Sequence, residues 1–304
     1  MTQRAAPAVP GYEAGYEAAY EAGYEADTLA LLRRAFDHRA LAGHAPRVKA
    51  LHLPPGRPDQ PLAGESCAIE LEGGAIGLSY VLFGHTLQTL RGAAPGCVGV
   101  DALSLAAGYA QDPATQHGVA RTLGFAAVNA LTAWLFARCG YAPPDAGDSL
   151  AALNPQPGDA VGMIGYFAAL APRITAAGAS LVVVEMRDDL IGQHDGVTIT
   201  ADPRALEACN KVLSTGTLLL NGTLERMLAA APAARRFALV GPSAGSLPDP
   251  LFARGVTDLG GSWVVDTAAY TAALCSGVKR HGSTRKFALR ASDYPGLPAL
   301  LERL

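Results

Sequence analysis

Four short apolar runs in the second half of the chain each break off in a turn of small or polar residues. They are Ala160–Ile164 before Gly165, Ser180–Val184 before Glu185, Lys211–Leu213 before Ser214-Thr215-Gly216-Thr217, and Phe237–Val240 before Gly241-Pro242-Ser243. A stretch that can be helical follows each of the first three. The pattern therefore predicts strand, turn and helix in repetition, an α/β arrangement whose parallel sheet is covered on both faces. Ligands of such sheets bind beyond the carboxyl ends of the strands. The four turns are expected to gather around one hollow, roofed by the N-terminal half.

The first half is patterned differently. Residues 11–26 repeat Gly/Ala-Tyr-Glu-Ala, placing Tyr12, Tyr16, Tyr20 and Tyr24 at spacing four beside Glu13, Glu17, Glu21 and Glu25. As a helix this segment would stack like charges at i,i+4 and carry three glycines, so a tail or loosely attached arm over 1–27 is expected, with a packed helix docking on the body or on a second subunit as the alternative. Leu29, Leu31, Leu32, Ala35 and Phe36 then give a helical stripe. Strand-like runs follow at Arg47–Leu53, Cys67–Leu71 and Ile76–Leu82, the last two joined by the hairpin signal Glu72-Gly73-Gly74-Ala75. Two helices are predicted at about Asp101–Ala110 and Gln116–Cys139, the second closed by Gly140 and Pro143-Pro144. Strands before helices make a small α+β unit over 28–150. The Pro-, Asp- and Gly-rich stretch Pro143–Pro157 reads as the link into a second domain over 151–304.

Composition narrows the function classes. A chain of 304 residues that is 50% hydrophobic can bury a substantial core. A net charge of -3 supplies no basic stripe for a phosphate backbone, so nucleic acid is not an expected partner. No run of about 18 uncharged apolar residues and no leader-like segment is evident, so a cytoplasmic protein without membrane partners is expected. Cys67, Cys97, Cys139, Cys209 and Cys275 are widely spaced and odd in number, which favours buried reduced thiols over disulfides or a thiolate zinc site.

Candidate chemistry follows the turns. Gly162-x-x-Gly165 with Glu185 twenty residues on is a partial dinucleotide fingerprint, but Tyr166 and Phe167 stand where a pyrophosphate needs backbone contact. These two aromatics suit either the wall of a small-ligand site or core packing. Thr215, Gly216, Thr217, Asn221 and Thr223 crowd hydroxyls, an amide and a glycine around Leu218–Leu220, as helix caps or pocket lining. Gly241, Pro242 and Ser243 repeat that logic, and Ser243 misses the nucleophile-elbow pattern by one position. Asn129 interrupts an apolar helix and must find partners, either in the core or at an interdomain cleft. Asp188, Asp189, His194 and Asp195 form an oxygen and nitrogen set that suits a divalent ion or simply a solvated loop. Glu185 and Asp266 are the carboxylates to consider as a general base, although neither shows a partner that would tune it.

Taken together, several segments carry a resemblance. Gly77-Leu78-Ser79-Tyr80, the run Thr122–Ala130, Val161–Phe167, Val184-Glu185, Thr215-Gly216-Thr217 with Asn221-Gly222-Thr223-Leu224-Glu225, and Gly241-Pro242-Ser243 occur in this order. The chain after about residue 28 resembles the heavy-metal-chelation proteins, a domain family of unknown function. The resemblance implies an enolase-N-terminal-like domain followed by a Rossmann-like domain, with a ligand site between them. It also suggests a role in metal, metallophore or cofactor metabolism, and it makes a homodimer plausible. Because the residues supply no strong ligand set, any metal is expected to arrive with an organic chelator. That chelator would be held through Asn129, Gly165, Tyr166, Glu185, Thr215, Thr217, Asn221 and Ser243. The alternative is a small-metabolite enzyme using S-adenosylmethionine, with Glu185 on the ribose hydroxyls and the Gly165 turn facing the amino-acid part.

Overall fold

A computed structural model describes residues 23–55, 66–81, 86–112, 118–148, 150, 153–194, 196–278 and 282–304. The chain opens with α1 (Tyr24–Phe36) and continues through β1 (Val48–His52), β2 (Ser66–Leu71) and β3 (Ile76–Tyr80). These three strands form an antiparallel sheet in the order β1-β2-β3, with the predicted Gly73-Gly74 turn joining the last two. Next come α2 (Thr86–Cys97), α3 (Ala102–Ala106) and the long α4 (Val119–Arg138).

α4 is apolar almost all round, as befits a helix enclosed by the protein rather than lying on its surface. Among the described residues it is the one helix long and apolar enough to cross a membrane, and it lies in the core. Its close approach to the small sheet and to the turn before it depends on glycines. A Cβ on Gly77 would sit 2.0 Å from the Ala130 nitrogen, and one on Gly124 would sit 2.2 Å from the Tyr109 nitrogen. At Gly77 the strand backbone thus touches the helix, and at Gly124 the helix touches the 3-10 turn Ala107–Ala110, each possible because the glycine has no side chain.

The second half builds an eight-stranded sheet from β4 (Ala160–Ile164), β5 (Ser180–Val184), β6 (Gly192–His194), β7 (Val197–Thr200), β8 (Lys211–Thr215), β9 (Arg236–Val240), β10 (Asp258–Val264) and β11 (Thr284–Arg290). Its order is β11-β10-β9-β8-β4-β5-β7-β6, parallel except for the edge strands β6 and β11. The apolar runs match β4, β5, β8 and β9 to within two residues. After β4 comes α5 (Ala171–Ala176), and after β8 come α6 (Leu218–Asn221) and α7 (Leu224–Ala230). The expected helix after β5 is replaced by a single 3-10 turn at Asp188–Leu190 and the β6–β7 hairpin. Polar Arg187-Asp188-Asp189 and Gly192 offer no apolar stripe that a helix could bury.

α8 (Asp249–Phe252), α9 (Thr267–Ser276) and α10 (Leu297–Leu301) complete the chain. Instead of covering its own sheet, α9 sets Tyr270 and Leu274 against Ala68, Ile76 and Leu78 of the small sheet. One core runs from Leu29 and Leu32 of α1 through α4 to Leu218, Leu239 and Leu259. The two halves of the sequence therefore share their interior.

The expected tail over 1–27 requires correction at its end. Residues 1–22, with Tyr12, Tyr16 and Tyr20, lie outside the described residues, but Tyr24 begins α1 and is only 1% exposed. Its hydroxyl meets Ser246 Oγ at 2.5 Å, its backbone N–H donates to Glu225, and burial pushes its phenol pKa up to about 12. Glu25 pairs with buried Arg121, and Asp27 pairs with Arg254. Arg121 also donates to the carbonyls of Leu219 and Leu220 at the end of α6. The last repeat is a clamp joining both halves, because its acidic side chains find buried arginines that the local sequence does not show.

Candidate functional site

The sheet order reverses at β4, whose neighbours are β5 on one side and β8 on the other. This is the switch point at which an open α/β sheet leaves a crevice. A hollow of about 390 Å³ lies there, walled by Gly165, Tyr166 and Phe167 after β4, by Glu185 after β5, and by Thr215 and Thr217 after β8. Asn221 and Thr223 complete its rim. Gly165 has φ +80°, and a Cβ there would press on Thr215 Cγ2 at 3.1 Å, so the turn closes only with glycine.

Most polar groups of this crevice already serve one another. Glu185 Oε2 accepts from the Tyr166 N–H at 2.9 Å, while Oε1 accepts from Met186 and Arg187 at 2.7 and 3.1 Å. Thr217 donates through both its N–H and its hydroxyl to Thr215 Oγ1. Asn221 Oδ1 accepts from the Thr223 N–H at 3.2 Å and hydroxyl at 2.6 Å. Tyr166 and Phe167 wall the crevice and pack against the core beneath it, so both readings of the aromatics apply.

The fourth turn goes elsewhere, which corrects the expectation of one common hollow. Gly241 donates to Gly260 O and Gly216 donates to Val240 O, so these backbones are tied into the sheet, and Gly216 walls neither hollow. Ser243 is 2% exposed, and its Oγ has no partner among the described residues. Pro242 instead lines a second cavity, of about 490 Å³, between the two halves. Its floor is Asn129, and its walls are the Gly73-Gly74 hairpin, Trp134, Arg138, Ser262 and Trp263. The switch-point crevice is lined by residues between 164 and 227 alone, whereas this cavity is the one roofed by the N-terminal half.

Asn129 is the polar centre of the cavity. Its Nδ2 donates to Leu78 O on β3 at 2.6 Å and to Ser243 O at 2.9 Å, so the helix, the small sheet and the fourth turn meet on one amide. Two accepting carbonyls fix the orientation of the amide. Its Oδ1 is then left buried without a partner among the described residues. At the mouth, the Arg138 guanidinium lies 5.6 Å over the Trp134 ring and pairs with no carboxylate among the described residues. Thr267 donates to Gly74 O at 2.9 Å and pins the hairpin against α9.

Three further expectations change. Asp266 is the N-cap of α9, accepting from the Ala269 N–H at 2.9 Å, and lines neither hollow. Asp189 is paired with Arg187 at the surface, Asp188 begins an exposed 3-10 turn and His194 ends β6, while Asp195 lies outside the described residues. Among the described residues no group of three or more His, Cys, Asp or Glu side chains is placed to hold a metal ion. Finally, Cys275 is exposed, although the other four thiols are buried.

Trp134, Arg138 and Trp263 were missed as site residues. Trp134 and Trp263 are the two tryptophans of the chain, and Arg138 stands one turn beyond Trp134. That pairing is a signal only once the β10 strand is known to face α4.

Residues 148–292 match the model of the family DUF364, described as "Putative heavy-metal chelation". No curated protein matches the chain. Among solved structures, a DUF364-family protein of unknown function from Desulfitobacterium hafniense DCB-2 is 20% identical, with TM-score 0.63, covering 86% of this chain and 98% of its own. Another DUF364-family protein of unknown function, from Pyrococcus horikoshii, is 15% identical with TM-score 0.60, covering 88% of this chain and 100% of its own. At these identities the likeness establishes the shared fold.

Proposed function

We propose that the protein binds a small planar organic anion of the chelator type in the cavity between its halves, taking a metal in that cavity only as the chelate. One observation carries this: the cavity holds polar groups that the protein leaves unmatched, whereas those of the switch-point crevice are largely spent on each other. A buried carbonyl without a donor costs about 1–3 kcal/mol, which an N–H or O–H of an occupant at Asn129 Oδ1 would offset. Arg138 offers a carboxylate two parallel donors, and the Trp134 and Trp263 rings supply flat apolar walls. A volume of about 490 Å³ suits a small organic molecule. The described lining residues include no carboxylate, imidazole or thiol, so the cavity has no ligand set for a bare ion. The family description agrees with metal-related binding at this coarser level.

Thermal shift with dipicolinate, alone and as its zinc complex, tests the proposal. A ligand at one hundred times its dissociation constant adds about 2.7 kcal/mol of stability. Stabilisation by the chelator or its complex, absent in Arg138→Ala, is expected. Stabilisation by free zinc alone would point to an all-protein metal site instead, and stabilisation by S-adenosylmethionine would support the enzyme alternative. Against that alternative, the three amides held by Glu185 leave this carboxylate poorly placed to grip a ribose.

A further inference from the structure

Two strand edges border the cavity between the halves, and neither is completed there by a neighbouring strand. Along β3 the backbone groups that bond to β2 are those of Gly77 and Ser79, in step with the Leu71 N–H that donates to Ala75 O, because bonded pairs recur at every second residue. The groups of Ile76 and Leu78 therefore point outward. Leu78 O takes the amide of Asn129 on that side, whereas Leu78 N–H and both backbone groups of Ile76 have no partner among the described residues. β10 repeats the pattern. Its pairing with β9 ends where Gly241 donates to Gly260 O, while β11 runs beside it as far as Val264. Val265 donates to Ser283 O, so the odd-numbered residues face β11, and Ser262 and Val264 turn their N–H and C=O groups the other way. Those groups also have no partner among the described residues, and Ile76, Leu78, Ser262 and Val264 all line the cavity.

We propose that the occupant of this cavity carries a secondary amide between its ring and its carboxylate, as an aroyl amino acid does, and that this amide bridges the two edges, its C=O accepting from Ser262 N–H and its N–H donating to Ile76 O. The inference rests on the reading of the cavity as the site of a chelator-type anion, and it names the class of that anion. In a trans amide the N–H and C=O point in opposite directions, so one group can serve an edge on either side. Conjugation with the ring keeps such an amide flat. An unpaired strand edge takes up extended ligands through main-chain hydrogen bonds, while side chains beside it supply the specificity. Here Trp134 and Trp263 would wall the ring and Arg138 would take the carboxylate. A buried backbone group left without a partner is costly, so an amide that matches these edges gains more than an aromatic acid that has none.

Calorimetric titration of the full-length protein with hippurate, its ester isostere benzoyloxyacetate and dipicolinate is the test. Hippurate is expected to bind about tenfold more tightly than the ester, which keeps the C=O and loses the N–H. In Ser262→Pro, which removes the N–H that faces away from β11, hippurate should bind about tenfold more weakly than in Ser262→Ala. Saturating hippurate should also slow hydrogen exchange of the Ser262 amide in the wild-type protein at least about tenfold, a readout that does not depend on how the proline variant folds. Equal affinity for hippurate and the ester, or unchanged exchange at Ser262, overturns the inference. Arg138-dependent binding of dipicolinate would in that case leave the reading of the cavity standing. If neither dipicolinate nor hippurate binds, that reading fails and the inference falls with it.

Discussion

Asn129 donates to the carbonyl oxygen of Ser243 at 2.9 Å, and through this bond the buried helix α4 holds the turn that follows β9. The same amide nitrogen holds Leu78 of the small sheet, so one side chain fixes the distance between the halves on either side of the cavity. Replacing Asn129 by alanine leaves two buried carbonyls without donors. We expect Asn129→Ala to lower the unfolding free energy by about 2–4 kcal/mol, measured by urea denaturation. A loss below about 0.5 kcal/mol would show that the amide carries no such load.

Gly77, which lets β3 lie on α4, and Gly124, which lets α4 lie on the Ala107–Ala110 turn, should be intolerant of even one methyl group. Gly77→Ala and Gly124→Ala drive a Cβ into backbone, at 2.0 and 2.2 Å, and should each cost at least about 3 kcal/mol. Gly73→Ala is the control, since its φ of +86° strains the backbone but open space surrounds it, and about 1–2 kcal/mol is expected. Thermal melts of the three variants would check the ranking.

Tyr24 separates a clamp from a tail. Tyr24→Phe should cost about 1 kcal/mol for the lost bond to Ser246, and Tyr24→Ala about 3–5 kcal/mol for the emptied site. Equal stability of all three proteins would return this residue to the tail.

Acid should loosen the small sheet through Glu70. Burial works to raise its pKa, but hydrogen bonds from Lys49 at 2.7 Å and His52 at 2.8 Å outweigh burial. Its folded pKa therefore lies below the unfolded value, so its contribution is present above the unfolded pKa and fades as pH falls through the folded one. Below about pH 4.3 the wild type should lose stability that Glu70→Gln never had, and the two curves should converge as the pH is lowered. Melting temperatures from pH 7 to pH 3 would show the convergence, and parallel curves would contradict it.

Much of the fold was legible because β4, β5, β8 and β9 are continuous apolar runs bounded by turn residues, the form that burial on both faces demands. β10 was harder to read, because Gly260 and Gly261 interrupt it where Phe287 of β11 approaches closely; a Cβ on Gly261 would lie 2.6 Å from that ring. α2 escaped notice because Gly92, Pro95 and Gly96 obscure its periodicity. The candidate site was half legible. Hydroxyl- and glycine-rich turns do gather at the switch point, but a sequence does not reveal that Thr215 with Thr217, and Asn221 with Thr223, satisfy each other. The motif residues Gly77 and Gly124 likewise serve packing, which their spacing alone does not disclose. Arg138 and Trp263 meet only through the crossing of α4 over β10.

Both tryptophans of the chain line the cavity, so intrinsic fluorescence reports directly on its occupancy. Titration with dipicolinate or its zinc complex should change the emission saturably, with an affinity at least tenfold weaker in Arg138→Ala. Stabilisation of the protein by the same ligand with unchanged emission, or with equal affinity in the variant, would place binding elsewhere and contradict the account.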